Sequence, residues 1–163
     1  MSYKELNAKD LSVLLEALRG FCSRNPYDPT LVMTLLDRAI HLLQEEEKVD
    51  PKIVLSLARA AYACRVDSDE VFNALTQMML DYLQPDAVRS DPAFCSNALY
   101  DLARCHQNAN FDLILNRVIS VGGFETCDGP QSVVQVVSSL VLLEYYDSPL
   151  LLSLLDKLCE MDE

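Results

Sequence analysis

The sequence contains no tryptophan, only four glycines and only two histidines. So few glycines leave no Gly-rich loop ahead of a predicted helix, which argues against a phosphate or nucleotide site. Long apolar runs are also missing, because charged residues interrupt the apolar stripes before any reaches the ~20 residues that a membrane-spanning helix needs. The polar segment 1–6 does not resemble a signal peptide, although it leaves open a targeting or anchor segment removed from a longer precursor.

Basic residues are scarce as well. Thirteen lysines and arginines oppose twenty-five acidic residues, which gives a formal net charge of −12. Proteins bind phosphate backbones mainly through Lys and Arg, so this composition argues against nucleic-acid binding and against anionic membranes. The acidic stretches at 45–47, 67–70 and 160–163 are interpreted as solvated helix ends, with a docking surface for a basic partner as the alternative.

The six cysteines include no C-x-x-C pair, and no histidine stands at zinc-finger spacing. We expect free thiols in a reducing intracellular compartment, with Cys127 exposed and reactive in a polar connection. Cys105 adjoins His106, but neighbours on a helix point about 100° apart and do not form a nucleophile and base pair. The sequence therefore predicts no catalytic residue, cofactor or metal, and a thiol-dependent enzyme is the least favoured alternative.

The clearest local pattern is a helical hairpin over 50–75. Asp50 is suited to cap the first helix, and Pro51 follows at the first helical position, where a missing N–H costs nothing. Asp67 or Ser68 caps the second helix. Apolar residues recur at helical spacing in both, which predicts one buried face on each. In the first helix this stripe is Ile53, Val54, Leu57, Ala58, Ala61 and Tyr62; in the second it is Val71, Phe72, Leu75, Met78 and Met79.

The same pattern recurs at a period of about forty residues. Forty residues earlier, Asp10 takes the capping position and the stripe is Val13, Leu14, Ala17, Leu18, Phe21 and Cys22. Eighty residues later than the 50–75 hairpin, the stripe is Pro130, Val133, Val134, Val137, Val141 and Leu142. A third, irregular unit begins at Asp91. We therefore predict an all-α domain over 1–163 with hairpins at about 10–47, 50–83, 91–121 and 129–161. These roughly eight helices are expected to stack as antiparallel hairpins in a right-handed superhelix.

The prolines support this layout, since none interrupts a predicted stripe. Pro26 and Pro85 are expected in connections, and Gly20 at a close helix crossing. The other five prolines stand at predicted helix starts: Pro29, Pro51, Pro92, Pro130 and Pro149.

Stacked hairpins would align the polar sides of their first helices along one face, where helical arrays hold extended peptides or partner helices. At equivalent positions these sides carry Arg19, Arg59, Tyr100 and Ser139, with Glu16, Ser56 and Gln135 nearby. We predict that this row binds a protein partner.

Two sequence patterns carry a resemblance to a known superfamily. Leu57-Ala58-Arg59 recurs as Leu102-Ala103-Arg104, and a short turn leads to Asp69-Glu70-Val71-Phe72. Across nearly the whole chain the pattern resembles the helical-hairpin repeats of the tetratricopeptide, HEAT and heptatricopeptide types, and it is nearest to the last. That resemblance implies a mitochondrial setting, with the cytoplasm as the alternative, and often an association with RNA, from which the acidity of this chain departs.

The sequence thus predicts a non-enzymatic scaffold that mediates protein–protein interactions within a larger complex. An RNA-associated repeat protein is the alternative. End repeats of such arrays need a polar cap, yet the final helix over 150–158 is apolar on more than one face. A homodimer through this end is a secondary prediction.

Overall fold

The computed structural model describes residues 6–22, 29–105, 107–123 and 129–161. Over these residues the secondary structure is nine α-helices without a strand, which confirms the all-α prediction. The helices are α1 (Ala8–Cys22), α2 (Pro29–Gln44), α3 (Pro51–Ala63), α4 (Asp69–Tyr82), α5 (Pro85–Ser90), α6 (Pro92–Arg104), α7 (Asn108–Ser120), α8 (Pro130–Leu142) and α9 (Pro149–Met161). In the described part of the chain no helix is long and apolar enough to cross a bilayer.

The chain divides into two compact units, which we call unit 1 (residues 1–82) and unit 2 (residues 83–163). Unit 1 contains α1 to α4 and unit 2 contains α5 to α9. Each unit holds two of the predicted hairpins, α1–α2 and α3–α4 in unit 1 and α6–α7 and α8–α9 in unit 2. A single domain over 1–163 stays a prediction.

Helix starts follow the predicted chemistry closely. All five prolines expected at helix starts are the first residue of a helix. At α3, the Asp50 side chain accepts a hydrogen bond from the Lys52 N–H at 2.9 Å, as expected for an N-cap. Ser68, one of the two candidate caps of α4, accepts from the Val71 N–H at 3.4 Å.

The start of α1 differs from the prediction. Asp10 is not the N-cap, because the helix already begins at Ala8. Asn7 Oδ1 accepts from the Asp10 N–H at 2.8 Å, and the Asp10 carboxylate accepts from the Asn7 N–H at 3.4 Å. These two reciprocal hydrogen bonds form a capping box. The prediction missed it because it aligned Asp10 with Asp50, the N-cap of α3.

Three helices end in the same way, with one residue in the left-handed conformation. Arg65 follows α3 with φ 53°, Gly122 follows α7 with φ 72°, and Glu144 follows α8 with φ 63°. The residue after each donates its N–H back into the helix, from Val66 to Ala61 O, from Gly123 to Val118 O and from Tyr145 to Leu140 O, each at 2.9 Å. These bonds are Schellman caps, and they satisfy carbonyls that the helix ends would leave without a donor.

In unit 1, α1 packs against α2 and α3, while α4 packs against α3 and α2. The side of α1 that is buried differs from the side predicted. Leu11 and Leu15 are fully buried, whereas Val13 is 63% and Leu14 is 37% exposed. Because α2 and α3 both lie on one side of α1, its second apolar edge has no helix of unit 1 to cover it. Tyr62, predicted on the α3 stripe, is also exposed.

In unit 2, α6 packs against α7 and, most extensively, against α8, and α8 packs against α9. The segment at Pro85, predicted as a connection, forms the short helix α5, which contacts α6 and buries Val88. Gly123 lies close to this helix. A Cβ on Gly123 would approach Val118 Cγ1 to 2.6 Å and Val88 Cγ1 to 3.2 Å, so the position has no room for a side chain.

The register of α8 also differs from the prediction. α8 starts 79 rather than 80 positions after α3, so the residues predicted on its stripe divide between two sides. Val133 is buried, but Val134, Val141 and Leu142 are each more than 40% exposed. Gly20 departs from expectation too, because a Cβ built there would meet no heavy atom within 4 Å, and no close helix crossing occurs at this position.

Candidate functional site

The sequence-predicted row exists in unit 1 as a chain of polar contacts between α1 and α3. Ser56 donates to Glu16 Oε1 at 3.4 Å, and the other Glu16 oxygen lies 2.7 Å from Arg19 Nε. Arg59 stands three residues after Ser56, just as Arg19 stands three residues after Glu16, so the two arginines share this side of the helix pair. The structure thus brings Glu16, Arg19 and Ser56 into contact.

An equivalent row in unit 2 joins α6 to α8. Gln135 Nε2 donates to Asn97 Oδ1 at 3.1 Å, and the Ser96 hydroxyl lies 3.0 Å from Gln135 Oε1. Neither Asn97 nor Ser96 was predicted. The signal was present, however, because Asn97 stands 41 positions after Ser56, the same offset that separates the starts of α3 and α6.

Tyr100 belongs to this second row. It stands three residues after Asn97, and the Arg104 guanidinium lies 5.6 Å from the centroid of its ring, within the range of a cation–π contact. Tyr100 is half-buried. Unit 2 therefore places an aromatic ring and a guanidinium where unit 1 has Arg59.

Ser139 does not lie on this surface. Its side chain is fully buried, and its hydroxyl donates to the Gln135 carbonyl oxygen at 2.7 Å. The cause is the one-residue register shift of α8, which makes Ser139 equivalent to the buried Ala60 and not to Arg59. The half-buried Ser138 takes the surface position instead.

The two rows offer hydrogen-bond donors, acceptors and one aromatic face, and the charges of Arg19 and Glu16 are paired. Amide and hydroxyl groups of this kind bind the main chain of an extended peptide, and Arg with Tyr is the pair most enriched where proteins bind each other tightly. The arrangement suits recognition of a polypeptide.

Cys105 was the candidate catalytic thiol because it adjoins His106 in the sequence. It is poorly suited to nucleophilic chemistry. Burial, and to a lesser degree the neighbouring Asp101 carboxylate, raises its pKa from 9.0 to about 12, although Arg104 opposes this shift. The neutral thiol therefore dominates at physiological pH, and the thiolate is the reactive form. His106 lies outside the described residues.

The remaining thiols differ in exposure. Cys64 and Cys95 are buried, and Cys159 is exposed near the end of α9. Cys127, predicted to be exposed, lies outside the described residues, as does the side chain of Cys22. Over the described ranges no three His, Cys, Asp or Glu side chains lie close enough together to hold a metal ion.

A second polar contact fastens the connection between α8 and α9 to α7. The Tyr145 hydroxyl donates to Asp112 Oδ1 at 2.5 Å, and its ring lies 5.7 Å from the ring of Phe111. The hydrogen bond to the carboxylate, together with burial, raises the pKa of Tyr145 from 10.0 to about 12. This contact gives the last hairpin a fixed position on α7.

Two exposed apolar stripes lie on the last hairpin. We call Val134, Val137 and Val141 the α8 stripe and Leu152 and Leu155 the α9 stripe. Val134 is 48%, Val141 43%, Leu152 65% and Leu155 41% exposed, while Val137 is half-buried. Their spacing of three, four or seven residues places each set on one side of its helix.

Comparison with protein-family models, with curated proteins and with solved structures finds no match to this chain.

Proposed function

We propose that this chain is a non-enzymatic helical-repeat scaffold that binds a protein partner within a larger complex. One observation carries the proposal. Glu16 with Ser56, and Asn97 with Gln135, are hydrogen-bonded pairs 40 and 38 residues apart, close to the repeat period. In each unit a polar side chain of the first helix of one hairpin thus bonds a polar side chain of the first helix of the next hairpin.

A continuous row suits an extended ligand because successive hairpins present the same side-chain position at regular intervals. Arg59 and Tyr100 occupy one such equivalent position, three residues after Ser56 and Asn97. Both are half-buried, so part of each side chain is already held in place and loses less entropy when a partner binds.

The resemblance to heptatricopeptide-type repeats supports a mitochondrial location for this scaffold, with the cytoplasm as the alternative. A net charge of −12 favours a protein partner over RNA. Binding to RNA would require basic side chains that this composition does not supply.

The test is affinity capture of the tagged protein from its native cells after nuclease treatment, with quantitative mass spectrometry. A double variant, R59A with Y100A, is compared with wild type and with a control, N73A with N116A, which removes exposed polar groups from α4 and α7. We expect a defined set of proteins that the control retains and the row variant loses. Recovery of RNA-processing factors that nuclease removes, or equal capture by both variants, would overturn the proposal.

A further inference from the structure

The two sides of α8 have opposite environments. Ser132, Gln135 and Ser139 recur at three and four residues on the side that meets α6, where Gln135 bonds Asn97. The α8 stripe lies about 160° around the helix from this side, as the 100° step per residue requires. Its valines therefore point away from α6, and two of them are more than 40% exposed.

The partner helix α9 repeats this arrangement. Leu151 and Leu154 are buried, whereas Leu152 and Leu155 are exposed, and the exposed Cys159 extends their line by one more turn. Single exposed apolar residues are common on protein surfaces, but regular stripes on two adjacent packed helices are typical of interaction sites. We call the two stripes together the α8–α9 apolar face.

The charges around this face are almost all negative. α8 contains no charged residue. Four acidic residues of the hairpin are exposed, namely Glu144, Asp147, Asp156 and Glu160. Asp156 lies about 40° around α9 from Leu152, so a carboxylate borders the α9 stripe directly. The basic residue of α9, Lys157, is half-buried and lies on the side of the helix opposite Leu155.

We propose that the α8–α9 apolar face binds an amphipathic helix of a partner protein whose apolar side is bordered by lysine or arginine. This inference rests on the proposed scaffold function and names one partner chemistry for it. Leucine and valine stripes accept the apolar side of such a helix, and the bordering carboxylates attract its cations. A second copy of this chain is a poorer occupant, because it would bring the same exposed carboxylates against each other.

The probe is a fluorescein-labelled peptide of about 14 residues, whose helix matches the ~20 Å length of α9. It carries leucines at helical spacing between lysines, and a matched peptide has glutamate in place of every lysine. Fluorescence anisotropy with the full chain should show binding of the Leu/Lys peptide at least about tenfold tighter than that of the Leu/Glu peptide.

Two pairs of variants locate the binding. L152Q with L155Q should weaken binding of the Leu/Lys peptide about tenfold or more, while L113Q with I119Q, which alters equally exposed residues of α7, leaves it unchanged. D156K with E160K should reverse the preference between the two peptides. The control E46K with E47K changes the net charge equally at exposed positions of unit 1 and should preserve that preference. Circular dichroism verifies that each variant is folded.

Equal binding of both peptides, or an equal loss with the α7 and α9 variants, would overturn the inference. A dimer mass in light scattering at about 100 μM that L152Q with L155Q returns to the monomer would assign the face to a second copy and also overturn it. Neither result involves Arg59 or Tyr100. The scaffold proposal is tested independently, by affinity capture with the R59A and Y100A variant.

Discussion

Units 1 and 2 use the same order of hairpins but hold their first helices together with different side chains. The hydrogen bond between Glu16 of α1 and Ser56 of α3 lies at a half-exposed edge, and the buried residues described in these two helices are apolar, such as Leu11 and Leu57, except for Ser12. Helices α6 and α8 instead bury several polar groups. Ser96 and Ser139 have no exposed surface, and Asp101 is 7% exposed.

The two contacts thus differ in the chemistry of their side chains. α6 and α8 make the most extensive contact between any two described helices, and the short side chain of Ser96, which meets Gln135 of α8, allows that approach. Buried polar groups stabilise a contact only when each finds a partner, so α6–α8 accepts fewer alternative arrangements than α1–α3. We therefore expect the loss of a polar side chain to destabilise unit 2 more than unit 1. Truncation of an apolar side chain should destabilise unit 1 more than unit 2.

The largest expected effect compares Leu57 with Ala98, which occupy equivalent buried positions 41 residues apart. Leu57→Ala leaves a cavity between the helices of unit 1 and should lower the free energy of unfolding by about 3 kcal/mol. Ala98→Leu forces extra atoms into a fully buried position of α6 and should cost about 2 kcal/mol. Urea denaturation measures both, and a neutral Ala98→Leu would refute the close packing assigned to unit 2.

The next effect compares the two hydrogen-bonded rows. Gln135→Ala deprives Asn97 and the fully buried Ser96 of a partner and should destabilise unit 2 by about 1.5 kcal/mol. Glu16→Ala removes a contact at a half-exposed edge and should cost about 0.5 kcal/mol or less. Chemical denaturation of both variants gives the comparison, and equal losses would show that the two units do not differ in this way.

A third effect belongs to unit 2 alone. Tyr145→Phe removes the hydroxyl that donates to Asp112 and should cost about 1 kcal/mol at neutral pH. Because the folded state raises the pKa of Tyr145 from 10.0 to about 12, it keeps a proton that the unfolded chain releases in this range. The free energy of unfolding should therefore fall as pH rises from about 10 to 12.

Comparison with Tyr145→Phe isolates the contribution of Tyr145 to this pH dependence. The pKa of Cys105 is also raised, so Cys105 lowers the free energy of unfolding over the same pH range, but it does so in both proteins and cancels from their difference. The stability difference between wild type and Tyr145→Phe should shrink across this pH range. A constant difference would mean that the hydrogen bond to Asp112 does not control the titration of the phenol.

The smallest effect should be the same in both units. Arg65 in unit 1 and Glu144 in unit 2 each hold a left-handed conformation that glycine adopts without strain. Arg65→Gly and Glu144→Gly should each raise the free energy of unfolding by about 0.5 kcal/mol, measured as a higher thermal midpoint. A gain in one unit alone would show that the caps are not equivalent.

The helices themselves were largely predictable, because prolines mark six of their starts, five of which were expected, and Asp50 caps α3. The sequence pattern did not predict which side of α1 and of α8 is buried. α8 has valine or leucine around much of its circumference, so periodicity alone does not identify which stripe meets α6 and which meets solvent. Tertiary neighbours decide that, and a one-residue error in the repeat placed the buried Ser139 on the surface.

The candidate row was predictable in part for the same reason. Glu16 and Ser56 were both predicted near the row, and the structure joins them by a hydrogen bond. Between α6 and α8 the spacing is 38, and Asn97, the true partner of Gln135, was missed. The short helix α5 lies between α4 and α6, and the sequence pattern carries no marker for its six residues except Pro85.

The packing order of the helices also bears on how the chain folds. The helices that pack most closely, such as α1 with α3 and α6 with α8, are separated by a single intervening helix in the chain. The hydrogen bonds between these helices join residues 40 and 38 positions apart, so each lies within one unit. Unit 1 is therefore able to fold on the ribosome while the residues of unit 2 are still being synthesised.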